Sequence, residues 1–170
     1  MKLGRIEHRK PRSRRGEAII LFAVGPYRFG ISAQAVEEIR NTDGVRSFAH
    51  GFTRAQKVRQ TLERDRKTYF VVDATTHLRM LSSRAARLLL LRERPIALSV
   101  DSIDRMSEIT SLHPLPRAFQ GDERRWYRGL AMFGEDIVPV LDPEVLLSKT
   151  ELAAMQAALP KDAALAKAVG

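Results

Sequence analysis

Cysteine is absent from this 170-residue chain, and aromatic residues make up only 6% of it. Without thiols the protein has no disulfide framework, no cysteine nucleophile and no cysteine-ligated zinc or iron–sulfur site. Stability must therefore come from an ordinary apolar core, and a hydrophobic fraction of 44% is adequate for one. The length suits one globular domain or two very small ones.

The sequence also lacks the motifs of common catalytic and nucleotide-binding sites. The ten glycines are dispersed and form neither a dinucleotide-binding loop nor a Walker-type phosphate loop. No serine lies in a Gly-x-Ser-x-Gly elbow. The histidines are scattered without metal-ligand spacing at His8, His50, His77 and His113. We therefore expect a binding module with no metal and no cofactor, and not an enzyme.

The only carboxylates with a patterned context follow apolar strands, at Asp73, Asp101 and Asp142. Paired carboxylates can perform general acid–base chemistry, so a hydrolase is one hypothesis. None of the three is followed two residues later by the glycine of an aspartic protease pair. An aspartate after a strand is also a good turn former and helix N-cap, because its carboxylate accepts backbone N–H groups. The structural role is the favoured interpretation.

Basic charge is concentrated in two segments. The chain has 29 Lys and Arg against 20 Asp and Glu, which gives a net charge of +9. Residues 1–15 hold seven basic residues and one acid, and residues 54–67 hold six basic residues and two acids, so the remainder is close to neutral. Neither segment contains an aromatic residue on which a base could stack. The composition favours a disordered basic extension and a polar insertion over a nucleic-acid-binding face.

Two patterns occur twice along the chain. A pair of apolar runs around a short turn, which predicts a β-hairpin, is found at residues 20–31 and again at 88–100. An apolar strand that ends in Asp and a helix-like turn is found at 70–78 and again at 139–147. The separations are 68 and 69 residues, measured from Gly30 to Leu98 and from Asp73 to Asp142. We expect two similar β modules that share one core, because each is too small to bury its own.

The remaining segments are mostly strand candidates. Alternating or β-branched apolar residues predict further strands at Val36–Arg40, Ile103–Ile109, Trp126–Phe133 and Asp136–Leu141. Ser148 and Glu151 form a capping box, which predicts a short helix that runs to about Pro160. Residues 54–67 are predicted as a helix, because Val58 and Leu62 are spaced i, i+4. The predicted layout is a basic extension over 1–15, a domain over 16–150, and a C-terminal helix and tail over 151–170.

The order of these segments resembles the CheW-like domain family of bacterial chemosensory systems. The stretch 21–39, which ends in Val-Glu-Glu-Ile, is similar to the opening of that domain, and Phe-Val-Val-Asp at 70–73 is similar to its Pro-Val-Ile-Asp strand. Residues 87–103 resemble its next hairpin, residues 109–116 the loop that ends in Leu-Pro, and residues 128–147 its closing hairpin. The five blocks agree with the family in order and spacing over about residues 17–150.

This resemblance implies a mainly β fold of two small, intertwined, five-stranded SH3-like β-barrels that share a core, followed by a short C-terminal helix. It also implies a cytoplasmic, non-enzymatic adaptor without cofactors. Proteins of this family use barrel surfaces and the groove between barrels to couple the cytoplasmic tip of a chemoreceptor, a methyl-accepting chemotaxis protein, to the regulatory domain of a CheA-type histidine kinase. We therefore expect no nucleic-acid partner, and contact with the membrane only through the receptors.

The matching blocks imply partner contacts at the surface positions Val36, Glu38, Asp101 and Ser102. One family motif is missing, because an Asn-Leu-Arg-Gly-like stretch whose Arg pairs with the acid at Glu38 usually precedes the Pro-Val-Ile-Asp strand. Here that stretch is Glu-Arg-Asp-Arg at residues 63–66. We expect Arg64 or Arg66 to replace the missing partner of Glu38, and both are included among the candidate partner-binding residues.

Three functions stay open on the sequence alone: a chemosensory adaptor, a basic β-barrel nucleic-acid-binding protein, and a hydrolase that uses the strand-end aspartates. The adaptor is the favoured hypothesis. A salt titration distinguishes the first two, because a phosphate-driven binder loses affinity steeply as salt rises and a largely apolar protein contact does not.

Overall fold

The computed structural model describes residues 16–52, 55–81 and 84–160. The predicted disordered extension at 1–15 and the tail after Pro160 lie outside the described residues. The fold is mainly β, as predicted. Its strands are β1 (Glu17–Val24), β2 (Tyr27–Ser32), β3 (Val36–Asn41), β4 (Val45–Ser47), β5 (Val58–Arg64), β6 (Lys67–Asp73), β7 (Arg87–Leu91), β8 (Ile96–Val100), β9 (Ser102–Ile109), β10 (Tyr127–Phe133) and β11 (Asp136–Leu141).

The strands form two sheets that exchange hairpins. The five-stranded sheet has the order β10-β11-β2-β1-β9, and the six-stranded sheet has the order β3-β7-β8-β6-β5-β4. The hairpin β1–β2 therefore joins strands from the end of the chain, and the hairpin β7–β8 joins strands from its first half. In the five-stranded sheet, β2 pairs in parallel with β11, which precedes Asp142. In the six-stranded sheet, β8 pairs in parallel with β6, which ends at Asp73. This exchange is the intertwining that the family resemblance implied.

One sheet has the expected five strands, and the other has six. In the six-stranded sheet Arg46 of β4 pairs with Thr61, whereas the corresponding segment of the other sheet makes a single bridge between His113 and Leu130. Pro114 and Pro116 follow His113. Because proline has no N–H to donate, that segment cannot extend into a ladder. Across the described residues, no ladder joins the first strand of either sheet to its last, so the sheets are not closed barrels.

Buried apolar residues form one shared core and one smaller cluster inside each sheet. The shared core takes Phe22 and Phe29 from the five-stranded sheet and Phe70 and Leu98 from the six-stranded sheet. The smaller clusters are centred on Ile19, Leu21, Val138 and Val140 in one sheet, and on Leu62, Val71, Leu88 and Leu90 in the other. The prediction that the two modules share a core is confirmed.

Among the described residues, the short helix α1 (Ala74–His77) follows β6, the helix α2 (Lys149–Ala157) follows the last strand, and 3-10 turns lie in several of the connections. Ser148 caps α2, because its hydroxyl accepts the Glu151 N–H while the Glu151 carboxylate accepts the Ser148 N–H, as the capping box predicted. Met155 of α2 is fully buried in the shared core, with Leu152 and Leu159 packed against it.

The predicted helix at 54–67 is wrong. The described part of that segment forms β5, a two-residue turn and the start of β6. A β-bulge between Val58 and Gln60 turns Val58 toward the shared core and leaves Leu62 inside the six-stranded sheet, so the i, i+4 spacing does not mark one helix face. Asp65 and Arg66 adopt positive φ values of 49° and 63°, the left-handed geometry of a tight hairpin turn.

Candidate functional site

The structure separates the six predicted partner-binding residues into two places. Four of them lie on the six-stranded sheet, with Val36 and Glu38 on β3, Arg64 on β5 and Arg66 in the β5–β6 turn. Asp101 and Ser102 lie where the chain passes from β8 in the six-stranded sheet to β9 in the five-stranded sheet.

Val36 is not a surface position. It begins β3, is only 6% exposed and packs in the shared core. A β-bulge between Val36 and Glu38 explains why the two side chains, two residues apart, have different environments. Val36 therefore positions β3 and is not available for partner contact.

Glu38 forms the predicted ion pair with Arg64 and not with Arg66. The Arg64 Nε donates to Glu38 Oε2 at 3.1 Å. This contact raises the pKa of Arg64, with a smaller contribution from Asp65. Since three strands separate β3 from β5 in the sheet, the pair shows that the six-stranded sheet curls enough to bring their side chains into contact.

A second contact crosses the same gap. The Tyr69 hydroxyl of β6 donates to Glu37 Oε2 of β3 at 3.4 Å. Burial and the Glu37 charge raise the pKa of Tyr69. Ile39 is 42% exposed on this edge strand. We call the surface formed by Glu37, Glu38, Ile39 and Arg64 the β3 seam.

Asp101 has a structural role that its position after β8 predicted. Its Oδ2 accepts the Gly25 N–H at 2.7 Å, and its own N–H donates to the Ala23 carbonyl at 3.0 Å. These two bonds tie the crossover between the sheets to the β1–β2 turn. Ser102 is exposed and pairs with Ala23 in the β1–β9 ladder.

Asp73 and Asp142 are N-caps, as predicted. Asp73 Oδ1 accepts the Thr75 N–H at 2.9 Å, and Asp142 Oδ1 accepts the Glu144 N–H at 3.0 Å. Each carboxylate therefore holds the turn that follows its strand. Within the described residues no group of three or more His, Asp or Glu side chains could hold a metal ion.

The five-stranded sheet carries an exposed apolar surface that the sequence reasoning missed. Met132 of β10 and Ile137 of β11 are directly paired across strands, and they are 52% and 60% exposed. Val140 pairs with Gly30 in the parallel β11–β2 ladder, which places Tyr27, 61% exposed, level with Ile137. We call these three residues the apolar stripe. The signal was present in the sequence, since Met132 and Ile137 flank a predicted hairpin turn symmetrically.

A groove of about 350 Å³ lies between the two sheets. Its walls include Glu17, Ser32 and Arg128 from the five-stranded sheet and Leu91 and Arg94 from the six-stranded sheet. Arg128 binds Glu17 through both nitrogens, at 2.6 and 3.1 Å, and lowers the pKa of Glu17. Arg94 donates to the Glu144 and Leu147 carbonyls. Three charged groups of the groove, Glu17, Arg94 and Arg128, are thus already bonded.

No helix among the described residues has the length and hydrophobicity to cross a bilayer.

The model of the CheW-like domain family matches residues 18–151 of this chain. The solved structure of the scaffolding protein TtCheW from Thermoanaerobacter tengcongensis is similar, with a TM-score of 0.66 and 16% sequence identity, and the match covers 78% of this chain and 92% of that chain. A comparison with curated proteins found no significant match. The structural likeness supports the two-sheet fold described above.

Proposed function

Because the chain belongs to the CheW-like domain family, whose members are scaffold or adaptor proteins and not enzymes, we propose that it is a non-enzymatic chemosensory adaptor. Its two partners are the cytoplasmic tip of a chemoreceptor and the regulatory domain of a CheA-type histidine kinase. This places the protein in the cytoplasm, near the membrane only through its receptors.

The presence of two separate surfaces of different chemistry carries the proposal. The apolar stripe lies on the five-stranded sheet, and the β3 seam lies on the six-stranded sheet. An adaptor must hold two partners at once, and two surfaces on different sheets allow this without competition. Exposed apolar side chains on neighbouring strands are typical of a docking surface.

The groove between the sheets is a weaker candidate for the main contact. The Glu17–Arg128 pair and the carbonyl contacts of Arg94 occupy its charged groups, so a ligand would have to compete with existing bonds. The apolar stripe offers its side chains directly to solvent, and the β3 seam presents a partly exposed ion pair beside the exposed Ile39.

The test is co-purification of the chain with each partner, the receptor tip and the kinase regulatory domain. The variant Met132→Glu/Ile137→Thr removes the apolar stripe, and Glu38→Arg reverses one charge of the seam. We expect each variant to lose one partner and keep the other. Leu81→Ser is the matched control, because Leu81 is fully exposed but lies off both surfaces.

Arg64→Glu should restore the partner lost by Glu38→Arg, because the reversed pair re-forms the ion pair. A wild-type chain that binds neither partner, or stripe and seam variants that lose the same partner, would overturn the proposal. Binding of the partner that contacts the apolar stripe should change little between low and moderate salt. A steep loss instead, together with binding to nucleic acid, would favour the phosphate-binding alternative.

A further inference from the structure

Two clefts adjoin a stacked pair of side chains, Arg79 and Trp126. The guanidinium carbon of Arg79 lies 5.5 Å from the centroid of the Trp126 ring. A cleft of about 340 Å³ has Lys57 and His77 in its wall, and a cleft of about 450 Å³ has Phe119 in its wall. Arg79 and Trp126 line both clefts. This pair, which we call the Arg79–Trp126 clamp, lies away from the apolar stripe and the β3 seam.

The backbone at Arg79 is unusual. Its φ is +54°, in the left-handed region that favours glycine. Its N–H donates to the Thr76 carbonyl at 3.2 Å, which fixes the turn after α1. A long cationic side chain is thus presented from a position where glycine is the less strained residue. Because the Met80 N–H also donates to the Thr75 carbonyl at 2.9 Å, Arg79 is the C′ residue of a Schellman cap, where this φ is common.

The Trp126 ring is held from several sides. The His77 ring centroid lies 5.2 Å away and the Tyr127 ring centroid 6.4 Å away. His77 is 6% exposed, and Lys57 Nζ lies 3.3 Å from its Nδ1, so the buried Nε2 carries the proton and has no partner among the described residues. Burial, with the Lys57 charge, lowers the pKa of His77 to about 3 and keeps the ring neutral.

The Arg79 guanidinium has no carboxylate partner in the described part of the chain. Asp122 and Glu123 line the two clefts, but neither comes within 4 Å of it, and Glu151 lies 3.9 Å from Lys57 instead. A guanidinium stacked on an indole keeps its plane fixed and its N–H groups free to bind a carboxylate with two parallel hydrogen bonds. Beside it, Leu78, Phe119 and Tyr127 give the larger cleft an apolar wall.

We propose that the Arg79–Trp126 clamp is a docking site for a peptide segment that carries a carboxylate side chain next to an aromatic or aliphatic one. The carboxylate binds the Arg79 guanidinium, and the neighbouring apolar side chain enters the cleft beside Phe119 and Tyr127. Trp, Tyr and Arg are the residues that contribute most to binding at protein interfaces. The site goes beyond the proposed adaptor surfaces and gives the protein a third contact.

The test uses the intrinsic fluorescence of Trp126, the only tryptophan of the chain. The probe is acetyl-Ala-Glu-Phe-Ala-amide, and acetyl-Ala-Gln-Phe-Ala-amide is the same peptide without the charge. We expect a saturable change in Trp126 emission with the Glu peptide. The affinity for the Gln peptide should be about tenfold lower. Arg79→Lys keeps the charge but loses the planar fork, so it should weaken the Glu peptide by a similar factor.

Arg79→Gly is the second variant, because glycine adopts the observed φ without strain and the protein should fold normally. It should lose the preference for the Glu peptide. Arg105→Gln, an exposed arginine on β9, is the matched control and should bind like the wild type. Equal affinity for the two peptides, no saturable change at millimolar peptide, or an unchanged preference in Arg79→Gly would each overturn the proposal.

Discussion

The two sheets repeat one backbone plan. Val71 of β6 pairs with Ala97 in the six-stranded sheet, and Val140 of β11 pairs with Gly30 in the five-stranded sheet. Gly30 therefore corresponds to Ala97. The predicted repeat matched Gly30 with Leu98, but Leu98 faces the shared core. The hairpin β5–β6 carries its bulge between Val58 and Gln60, and the hairpin β10–β11 carries one at the corresponding place, between Tyr127 and Gly129.

The side chains on this shared plan differ. Glu63 and Thr68 are cross-strand partners joined by a hydrogen bond of 2.7 Å, and the corresponding partners in the other sheet are Met132 and Ile137. The same ladder positions that hold Glu38 and Arg64 hold Arg105 and Phe133 in the five-stranded sheet. The backbone plan thus fixes where surfaces lie, and the side chains decide the chemistry of each surface.

The difference extends to the turns after the strand-end aspartates. Four residues after Asp73 the chain buries His77, and four residues after Asp142 it buries Leu146. The turn after β6 therefore buries a titratable side chain, whereas the corresponding turn after β11 buries an apolar one.

The largest expected effect tests whether the two sheets form one cooperative unit. Phe22 is fully buried in the shared core, with its ring 6.0 Å from Phe29. Phe22→Ala should lower the free energy of unfolding by about 3–5 kcal/mol, because it removes a large side chain and leaves a cavity. Urea unfolding followed by both Trp126 fluorescence and far-UV circular dichroism should show a single transition.

Phe133→Ala is the control for that variant, because Phe133 is only partly buried and packs against the cluster inside one sheet. It should cost clearly less. Two separated transitions in either variant would mean that the sheets unfold independently and that the shared core does not couple them.

The second prediction concerns the pH dependence of stability. The folded state holds the pKa of His77 at about 3, because burial and then the Lys57 charge disfavour protonation, whereas an unfolded histidine titrates near 6.5. Between these values the unfolded state binds more protons, so stability falls as the pH falls below about 6.5, by at most about 1.4 kcal/mol per pH unit. His77→Leu copies the side chain of Leu146 and should flatten this dependence.

The measurement is the urea midpoint at pH 7, 6 and 5. This range lies above the titration of Glu17, whose pKa Arg128 lowers below 4.5. An equal slope in the wild type and in His77→Leu would show that His77 is not the source of the pH dependence.

Much of the fold could be predicted from the sequence, because the strands are marked by apolar runs and the turns by specific residues. The pattern of apolar hairpins and strand-end aspartates predicted the repeat, the N-caps at Asp73 and Asp142, and the capping box at Ser148. The hairpin at Asp65 and Arg66 could not be predicted, since neither residue is a glycine although both adopt positive φ. The bulge in β5 could not be predicted either, because a bulge depends on the pairing with the neighbouring strand.

The candidate site was less predictable than the fold. The sequence identified Glu38 and offered two partners for it, but the choice of Arg64 depends on how far the sheet curls. Val36 was assigned to the surface because the bulge that buries it leaves no local signal. The apolar stripe and the Arg79–Trp126 clamp bring together residues from separate strands and turns, so no short motif encodes them.

The third prediction tests a close side-chain approach inside the five-stranded sheet. A Cβ on Gly30 would lie 2.7 Å from Ile19 Cγ2, whereas the corresponding position of the other sheet accommodates Ala97. Gly30→Ala should therefore lower the free energy of unfolding by about 1–3 kcal/mol through overpacking. Gly51→Ala, with no atom within 4 Å of the new Cβ, is the matched control and should be nearly neutral.

Ile19→Ala in the same chain should make Gly30→Ala less costly, because it removes the methyl group that the new Cβ meets. Additive costs in the double variant would show that the clash with Ile19 is not the cause.

The smallest expected effect on stability belongs to the Glu38–Arg64 pair. Both side chains are substantially exposed, at 34% and 43%, and exposed pairs of this kind contribute little to stability because solvent screens them. The five-stranded sheet keeps the same ladder with Arg105 and Phe133 at these positions, so the backbone plan does not require the ion pair. We expect Glu38→Gln to change the urea midpoint only slightly, while charge reversal at Glu38 removes a partner. A large coupling energy in the Glu38–Arg64 double-mutant cycle would instead make the pair a structural clasp of the curled sheet, and the loss of a partner would then follow from local unfolding.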